Sequence, residues 1–139
     1  TSIKELHALI THEYHHICRQ FYYADQPTLL DAVIMEGLAE HAVESLFGEH
    51  AVSSWTKRYS LEMVTDYWHA HFLEHLPVRG LHNHQHFLFG DGQQLPAHIG
   101  YCMGYRIVEA FLTKNPLLTT QQLLPISSEE ITLGADFTL

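Results

Sequence analysis

Basic residues and cysteines are scarce in this chain. Lysine and arginine together number seven among 139 residues, against 16 acidic residues, so the formal net charge is −9. An acidic chain without a basic stripe is a poor partner for nucleic acid or for an anionic membrane surface. Two cysteines, Cys18 and Cys102, fit neither a disulfide scaffold nor a thiolate zinc site. We expect both to be small buried side chains, in a protein of the reducing cytoplasm.

Long hydrophobic runs are also missing. No apolar segment approaches the roughly 18 residues that cross a bilayer, and no signal peptide is visible. The hydrophobic share of 46% is that of an ordinary globular protein. We therefore expect a single domain over residues 1–139, without internal repeats and without a membrane partner.

Histidine is the residue in excess, with 13 copies. Residues 12–16 read His-Glu-Tyr-His-His, an HExxH motif. On a helix, residues i and i+4 share a face, so His12 and His16 can present two imidazoles to one metal ion. Glu13 is placed to take a proton from a water molecule that the metal activates. A short motif arises easily by chance in a chain rich in histidine. The interpretation as a metal site therefore requires a third ligand.

Capping and periodicity predict a mainly α architecture with about four main helices and little or no sheet. The Ser2-x-x-Glu5 capping box opens a helix over residues 2–23, and Thr28 caps a second that ends before Gly48. We predict a third helix from Ser60 to His75 and a fourth from Pro96 to about Lys114. Between them we expect a loop over residues 79–95, in which residues 87–89 form an apolar anchor or a short strand. A short final turn begins at Ser127.

The first helix carries two different faces. An apolar stripe lies more than 90° from His12 and His16, at the angular step of 100° per residue. We expect this stripe to pack against the core while the histidine face binds the ligand. Its members are Ile3, Leu6, Ile10, Ile17 and Phe21.

The second helix supplies a third ligand. Glu36 and Glu40 lie in the middle of a stripe whose other members are the apolar residues Leu29, Val33, Val43 and Phe47. A buried carboxylate needs a partner, which a metal ion would provide for Glu36 and the ring N–H of a ligand histidine for Glu40. The alternative is that the two glutamates reach solvent or pair with Arg19 or Arg58. Gly37 predicts a close approach to the first helix.

This pattern resembles a known class of zinc protease. His12 and His16, followed by Glu36 in an E-x-x-x-[DE] helix, look like the gluzincin arrangement of thermolysin-like and aminopeptidase enzymes. Longer segments resemble a bacterial family of predicted zinc-dependent proteases. Those segments are THEYHH (11–16), LDAVIMEGLAE (30–40) and LPAHIGYCMGYRIV (95–108). The resemblance implies that His12, His16 and Glu36 bind Zn²⁺ and that Glu40 orients a ligand histidine.

The position of the motif departs from that class. Zincins place a sheet before the HExxH helix and hold the substrate on its edge strand, whereas here only eleven residues precede His12. We therefore expect a helical zincin-like domain that forms the metal-site half of a larger protein.

Peptide hydrolysis also requires a donor for the oxyanion of the tetrahedral intermediate. His98, Tyr101 and Tyr105 are spaced to share a face of the fourth helix. One of them, with Tyr101 and Tyr105 as the leading candidates, could fill this role. The alternative is a tyrosine-lined packing face.

Two further histidine patterns are weaker. His71 and His75 form an HxxEH string without the distant glutamate pair that such sites use. His82, His84 and His86 alternate along the predicted loop and could bind a transition metal, although a solvated loop is the simpler interpretation.

The sequence thus predicts zinc-dependent hydrolysis of a peptide or protein substrate with Glu13 as general base. The alternative is a catalytically silent module that binds zinc for stability, in which another side chain such as His41 closes the fourth coordination position.

Overall fold

The computed structural model describes residues 2–23 and 26–139, and it confirms the mainly α fold class. The α-helices in these ranges are α1 (Ile3–Gln20), α2 (Leu29–Phe47), α3 (Leu61–Tyr67), α4 (Leu81–Phe89), α5 (Ile99–Lys114) and α6 (Ser128–Gly134). The same residues contain no β-strand, and Thr28 forms an isolated bridge with Arg79. None of the described helices is both long and apolar enough to cross a membrane.

Capping residues place most helix ends where the sequence predicts them. Ser2 and Thr28 both form complete capping boxes, at the starts of α1 and α2. The predicted helix from Ser60 to His75 is helical throughout but irregular. After α3 it continues as a π turn (Trp68–Phe72) and a 3₁₀ turn (Leu73–His75).

The predicted loop over residues 79–95 is wrong, because α4 occupies residues 81–89. His84 and Phe87, three residues apart, are buried on one side of this helix, and the Phe87 ring packs on Phe72 at 5.2 Å. Gly80 and Gly90 bracket the helix with φ values of 99° and 84°, which glycine adopts without strain. The polar histidine and asparagine residues of this segment obscure its helical periodicity in the sequence.

Helices α2 and α5 form the centre of the core, and their backbones touch. A Cβ atom added to Gly104 would lie 2.0 Å from the carbonyl oxygen of Val33, and one added to Gly37 would lie 2.1 Å from that of Gly104. The backbones of α2 and α5 therefore meet at these two glycines. The predicted approach of Gly37 to the first helix is wrong, since Gly37 faces α5 instead.

Helix α1 packs through its polar face. The predicted packing stripe is wrong: Ile3 is 71% exposed, Phe21 is 84% exposed, and Leu6, Ile10 and Ile17 are exposed as well. The buried residues of α1 are His15 and Arg19. No residue of α1 belongs to the hydrophobic core formed by the described residues. The reason is that α2 presents the carboxylates of Glu36 and Glu40 to α1, so the imidazole face turns towards it.

The glycine contact predicts a steep cost for added volume. We expect Gly104→Ala to lower the free energy of unfolding by about 3 kcal/mol or more, because the methyl group meets rigid backbone on α2. Urea denaturation measures the change. Ser45→Ala, at an exposed position of α2, is the control and should change stability by about 0.5 kcal/mol or less. Equal stability of Gly104→Ala and the parent protein would contradict the contact.

Candidate metal centre

A single carboxylate lies between two imidazoles where α1 crosses α2. Nε2 of His12 is 2.9 Å from Oε2 of Glu36, and Nε2 of His16 is 3.3 Å from Oε1 of the same side chain. The two rings meet edge to face with centroids 4.6 Å apart. The structure thus brings together the three side chains that the sequence assigns to one ion.

Glu40 holds His12 from its other side. Oε2 of Glu40 lies 2.9 Å from Nδ1 of His12, while Oε1 accepts a hydrogen bond from the backbone N–H of Ser53 at 2.5 Å. Glu40 is 2% exposed, so its rotamer is fixed by packing as well as by these bonds. A carboxylate on Nδ1 leaves Nε2 of His12 as the nitrogen available to a metal ion.

The charges in this cluster compensate one another. Burial would raise the pKa of Glu36, but its contacts with His12 and His16 lower that pKa to about 2. Burial would likewise lower the pKa of His12, but Glu36 and Glu40 raise it from 6.5 to about 9. The alternative partners of the two glutamates are engaged elsewhere. Arg58 contacts Nδ1 of His98 at 3.2 Å, and Arg19 donates to backbone carbonyls after α5.

The donor set fits zinc. Two imidazole nitrogens and a carboxylate oxygen are the ligands of a catalytic zinc site, with a further carboxylate supporting one histidine. One nitrogen or oxygen atom from each of His12, Glu13 and His16 also lies within 4.8 Å of the others. Glu13 is therefore close to the ligand atoms although its own side chain is exposed.

The centre opens into a cavity of about 930 Å³. His12, Glu13 and Glu36 line it together with an aromatic cluster. The Tyr101 ring lies 4.9 Å from Trp55 and 5.0 Å from Phe89. A cavity of this size with apolar walls and a few convergent polar groups is typical of a ligand site.

Of the two candidate tyrosines, Tyr101 fits the expected role of oxyanion donor better. Burial, followed by the negative charges of Glu36 and Glu13, raises the pKa of Tyr101 to about 12. Like any tyrosine hydroxyl it keeps its proton at neutral pH, so it can donate a hydrogen bond. His98 lines the same cavity, and it immediately precedes α5 with a left-handed φ of 59°.

Tyr105 is placed differently from Tyr101. It is 1% exposed and does not line the cavity, its hydroxyl donates to Oε2 of Glu44 at 2.8 Å, and its ring stacks on His41 at 4.2 Å. His41 in turn makes a hydrogen bond through Nε2 to the carbonyl of Tyr105. Both side chains are thus used in packing α5 on the later part of α2, and His41 does not close the metal centre.

The other histidine patterns form no second centre among the described residues. Nδ1 of His75 bonds to the carbonyl of His71, and Nε2 of the buried His84 bonds to that of Val78. His82 and His86 are exposed on α4. His15 is buried, and burial lowers its pKa to about 4, so it packs as a neutral ring.

Spacing along the sequence does not assign several residues of the site to it. Ser53 and Trp55 come from the segment after α2, and Phe89 ends a helix that was expected to be a loop. Their roles arise from long-range packing, which spacing along the chain does not reveal. An aromatic residue within a polar segment, as at Trp55, was the one available hint.

Comparisons with known proteins support zinc dependence at the level of a family. A family model described as "Predicted Zn-dependent protease (DUF2268)" matches residues 1–133. Uncharacterized protein YjaZ of Bacillus subtilis (strain 168) is 38% identical over 120 residues, which cover 84% of this chain and 46% of that protein. Uncharacterized protein YjfC of the same organism is 28% identical over 140 residues, covering 86% and 44%. The chain thus spans about half the length of these relatives. No solved structure matches significantly.

The raised pKa of His12 predicts that zinc uptake releases a proton. Below about pH 9 the metal-free His12 is an imidazolium ion, and its proton must leave before the ring can bind a metal ion. At pH 7 we therefore expect release of at least one proton per zinc. The affinity should rise about tenfold per pH unit from pH 7 towards 9 and then level off. Titration calorimetry in two buffers of different ionisation enthalpy counts the protons, and uptake without release would contradict the assignment.

Proposed function

The chain belongs to the family of predicted Zn-dependent proteases (DUF2268), and from this premise we propose that it hydrolyses peptide bonds with Zn²⁺ held by His12, His16 and Glu36. The observation that carries the proposal is the convergence of both Nε2 atoms on the Glu36 carboxylate, beside Glu13 and at the wall of a large cavity. The ligand pattern is that of a gluzincin, and the proposed substrate is a peptide or protein.

Zinc, when bound, would lower the pKa of a water molecule and polarise the substrate carbonyl. Glu13 is the general base. Its carboxylate takes one proton as the water oxygen bonds to the carbonyl carbon, and it returns that proton to the amide nitrogen as the C–N bond breaks. The products are a carboxylic acid and an amine. The exposure of Glu13 on the cavity wall supports this role, because the base must reach both water and substrate.

Two further residues support the reaction. Tyr101 donates a hydrogen bond from its hydroxyl to the oxygen on which negative charge develops. Glu40 fixes the ring of His12 through Nδ1. Tyr105 has no part in the proposed chemistry, because its hydroxyl is committed to Glu44.

The rival function is a silent zinc-binding module. It would be favoured by a protein side chain closing the fourth coordination position. His41, the candidate named for that position, bonds to the Tyr105 carbonyl instead. The opening of the centre into the cavity supports the enzyme over the silent module.

Replacing the base separates catalysis from metal binding. We expect Glu13→Gln to abolish peptide hydrolysis while the protein retains about one zinc per chain, because the amide cannot accept the proton. Turnover of a fluorogenic peptide library and metal analysis give the two readouts. Glu62→Gln, at an exposed position of α3, is the control and should keep full activity. Undiminished cleavage by Glu13→Gln would remove the proposed base.

The two tyrosines of α5 provide a matched pair. Tyr101→Phe should lower kcat about 100-fold with KM and zinc content little changed, because only the bond to the oxyanion is lost. Tyr105→Phe removes the bond to Glu44 and should cost about 1 kcal/mol of stability without affecting kcat. Steady-state kinetics on both variants, with thermal unfolding alongside, tests the assignment. The reverse pattern of effects would transfer the role to Tyr105.

A further inference from the structure

Arg19 ends the buried face of α1, three residues after His16. It is 4% exposed, an unusual degree of burial for an arginine. Its Nη1 donates to three backbone carbonyls that precede α6, those of Leu123 at 3.1 Å, Leu124 at 2.7 Å and Ile126 at 2.5 Å. The guanidinium therefore gathers the end of the 119–126 segment onto α1.

The same guanidinium reaches the start of α2 through a hydroxyl. Nη2 of Arg19 donates to Oγ of Ser128 at 3.4 Å, and that hydroxyl donates to Oδ1 of Asp31 at 2.7 Å. The other carboxylate oxygen of Asp31 accepts the backbone N–H of Thr28 in the capping box of α2. Arg19, Ser128 and Asp31 thus form a continuous link from α1 to the first turn of α2.

This link lies next to the metal centre on both helices. Arg19 follows His16 by three residues, and Asp31 precedes Glu36 by five. Helix α1 contributes no residue to the described hydrophobic core, so hydrogen bonds and ion pairs carry much of its contact with α2. The Arg19 network adds a polar link between the two helices at one end of the crossing, close to the histidines and Glu36.

We propose that Arg19 is a positioning residue that holds His12 and His16 against Glu36 and thereby sets the zinc affinity of the site. The inference rests on the proposed zinc ligands and does not depend on the reaction they perform. An arginine is required because Nη1 bonds the three carbonyls while Nη2, the other arm of the planar fork, bonds Ser128. Lysine carries the same charge but cannot present donors in that geometry.

Zinc affinity tests the role of Arg19. We expect Arg19→Leu and Arg19→Lys each to weaken zinc binding at least tenfold, measured by competition with a chelating dye at fixed pH. Phe72→Leu is the control, because it loosens the core at a buried position outside α1 and the Arg19 network. Its zinc affinity should stay within about threefold of the parent protein. The proposal would be overturned if Arg19→Leu or Arg19→Lys bound zinc as tightly as the parent protein. An equal loss of zinc affinity in Phe72→Leu would overturn it as well.

Hydrogen exchange gives a readout that needs neither metal nor activity. In the metal-free protein, Arg19→Leu should speed amide exchange in α1 around His12 and His16 at least tenfold, while α2 and α5 stay protected. Unchanged exchange in α1 would overturn the proposal even if no zinc were bound.

Should Arg19→Leu fail to fold, Ser128→Ala tests the proposal instead, because it removes only the link to Asp31. It should weaken zinc binding about threefold or more, and parent-like affinity would overturn the proposal. Loss of hydrolysis bears on the proposed function alone.

Discussion

Two largely buried carboxylates of α2 determine how the rest of the site is arranged. Glu36 and Glu40 lie in a helix whose other faces are filled with apolar side chains, so each must be compensated within the protein. The imidazoles of α1 supply that compensation, which is why α1 turns its polar face inward and leaves its apolar stripe exposed. The need to neutralise buried charge outweighs the burial of aliphatic side chains in fixing the orientation of α1.

The cavity extends from this charged contact towards an aromatic wall. Tyr101 is common to both, since its ring contacts Trp55 and Phe89 at tilted angles, while burial and the charges of Glu36 and Glu13 raise the pKa of its hydroxyl. The polar end of the cavity suits the proposed bond cleavage, and the aromatic end offers apolar surface to a substrate. The family to which the chain belongs is described as predicted Zn-dependent proteases, which supports the proposed chemistry.

Much of the local structure follows from short-range rules in the sequence. The limits of α2 are set by the Thr28 capping box and by Gly48, and the pairing of the HExxH helix with Glu36 and Glu40 follows from helical spacing and from the cost of buried charge. What the sequence did not reveal depends on contacts between distant segments. The helix over 81–89 was concealed by its polar composition, and the partner of Gly37 and the network of Arg19 depend on how the helices pack.

The backbone contact between α2 and α5 divides the proposed active site into a fixed part and an adjustable part. Glu36 is adjacent to Gly37, and Tyr101 lies three residues before Gly104, so both side chains project from one rigid frame. The base and both histidines project from α1, which is joined to that frame by hydrogen bonds and charge. Small sliding motions of α1 would therefore change the distance between Glu13 and Tyr101 without disturbing the core. Catalytic alignment and fold stability can thus vary separately, so mutations could tune turnover with little change in stability.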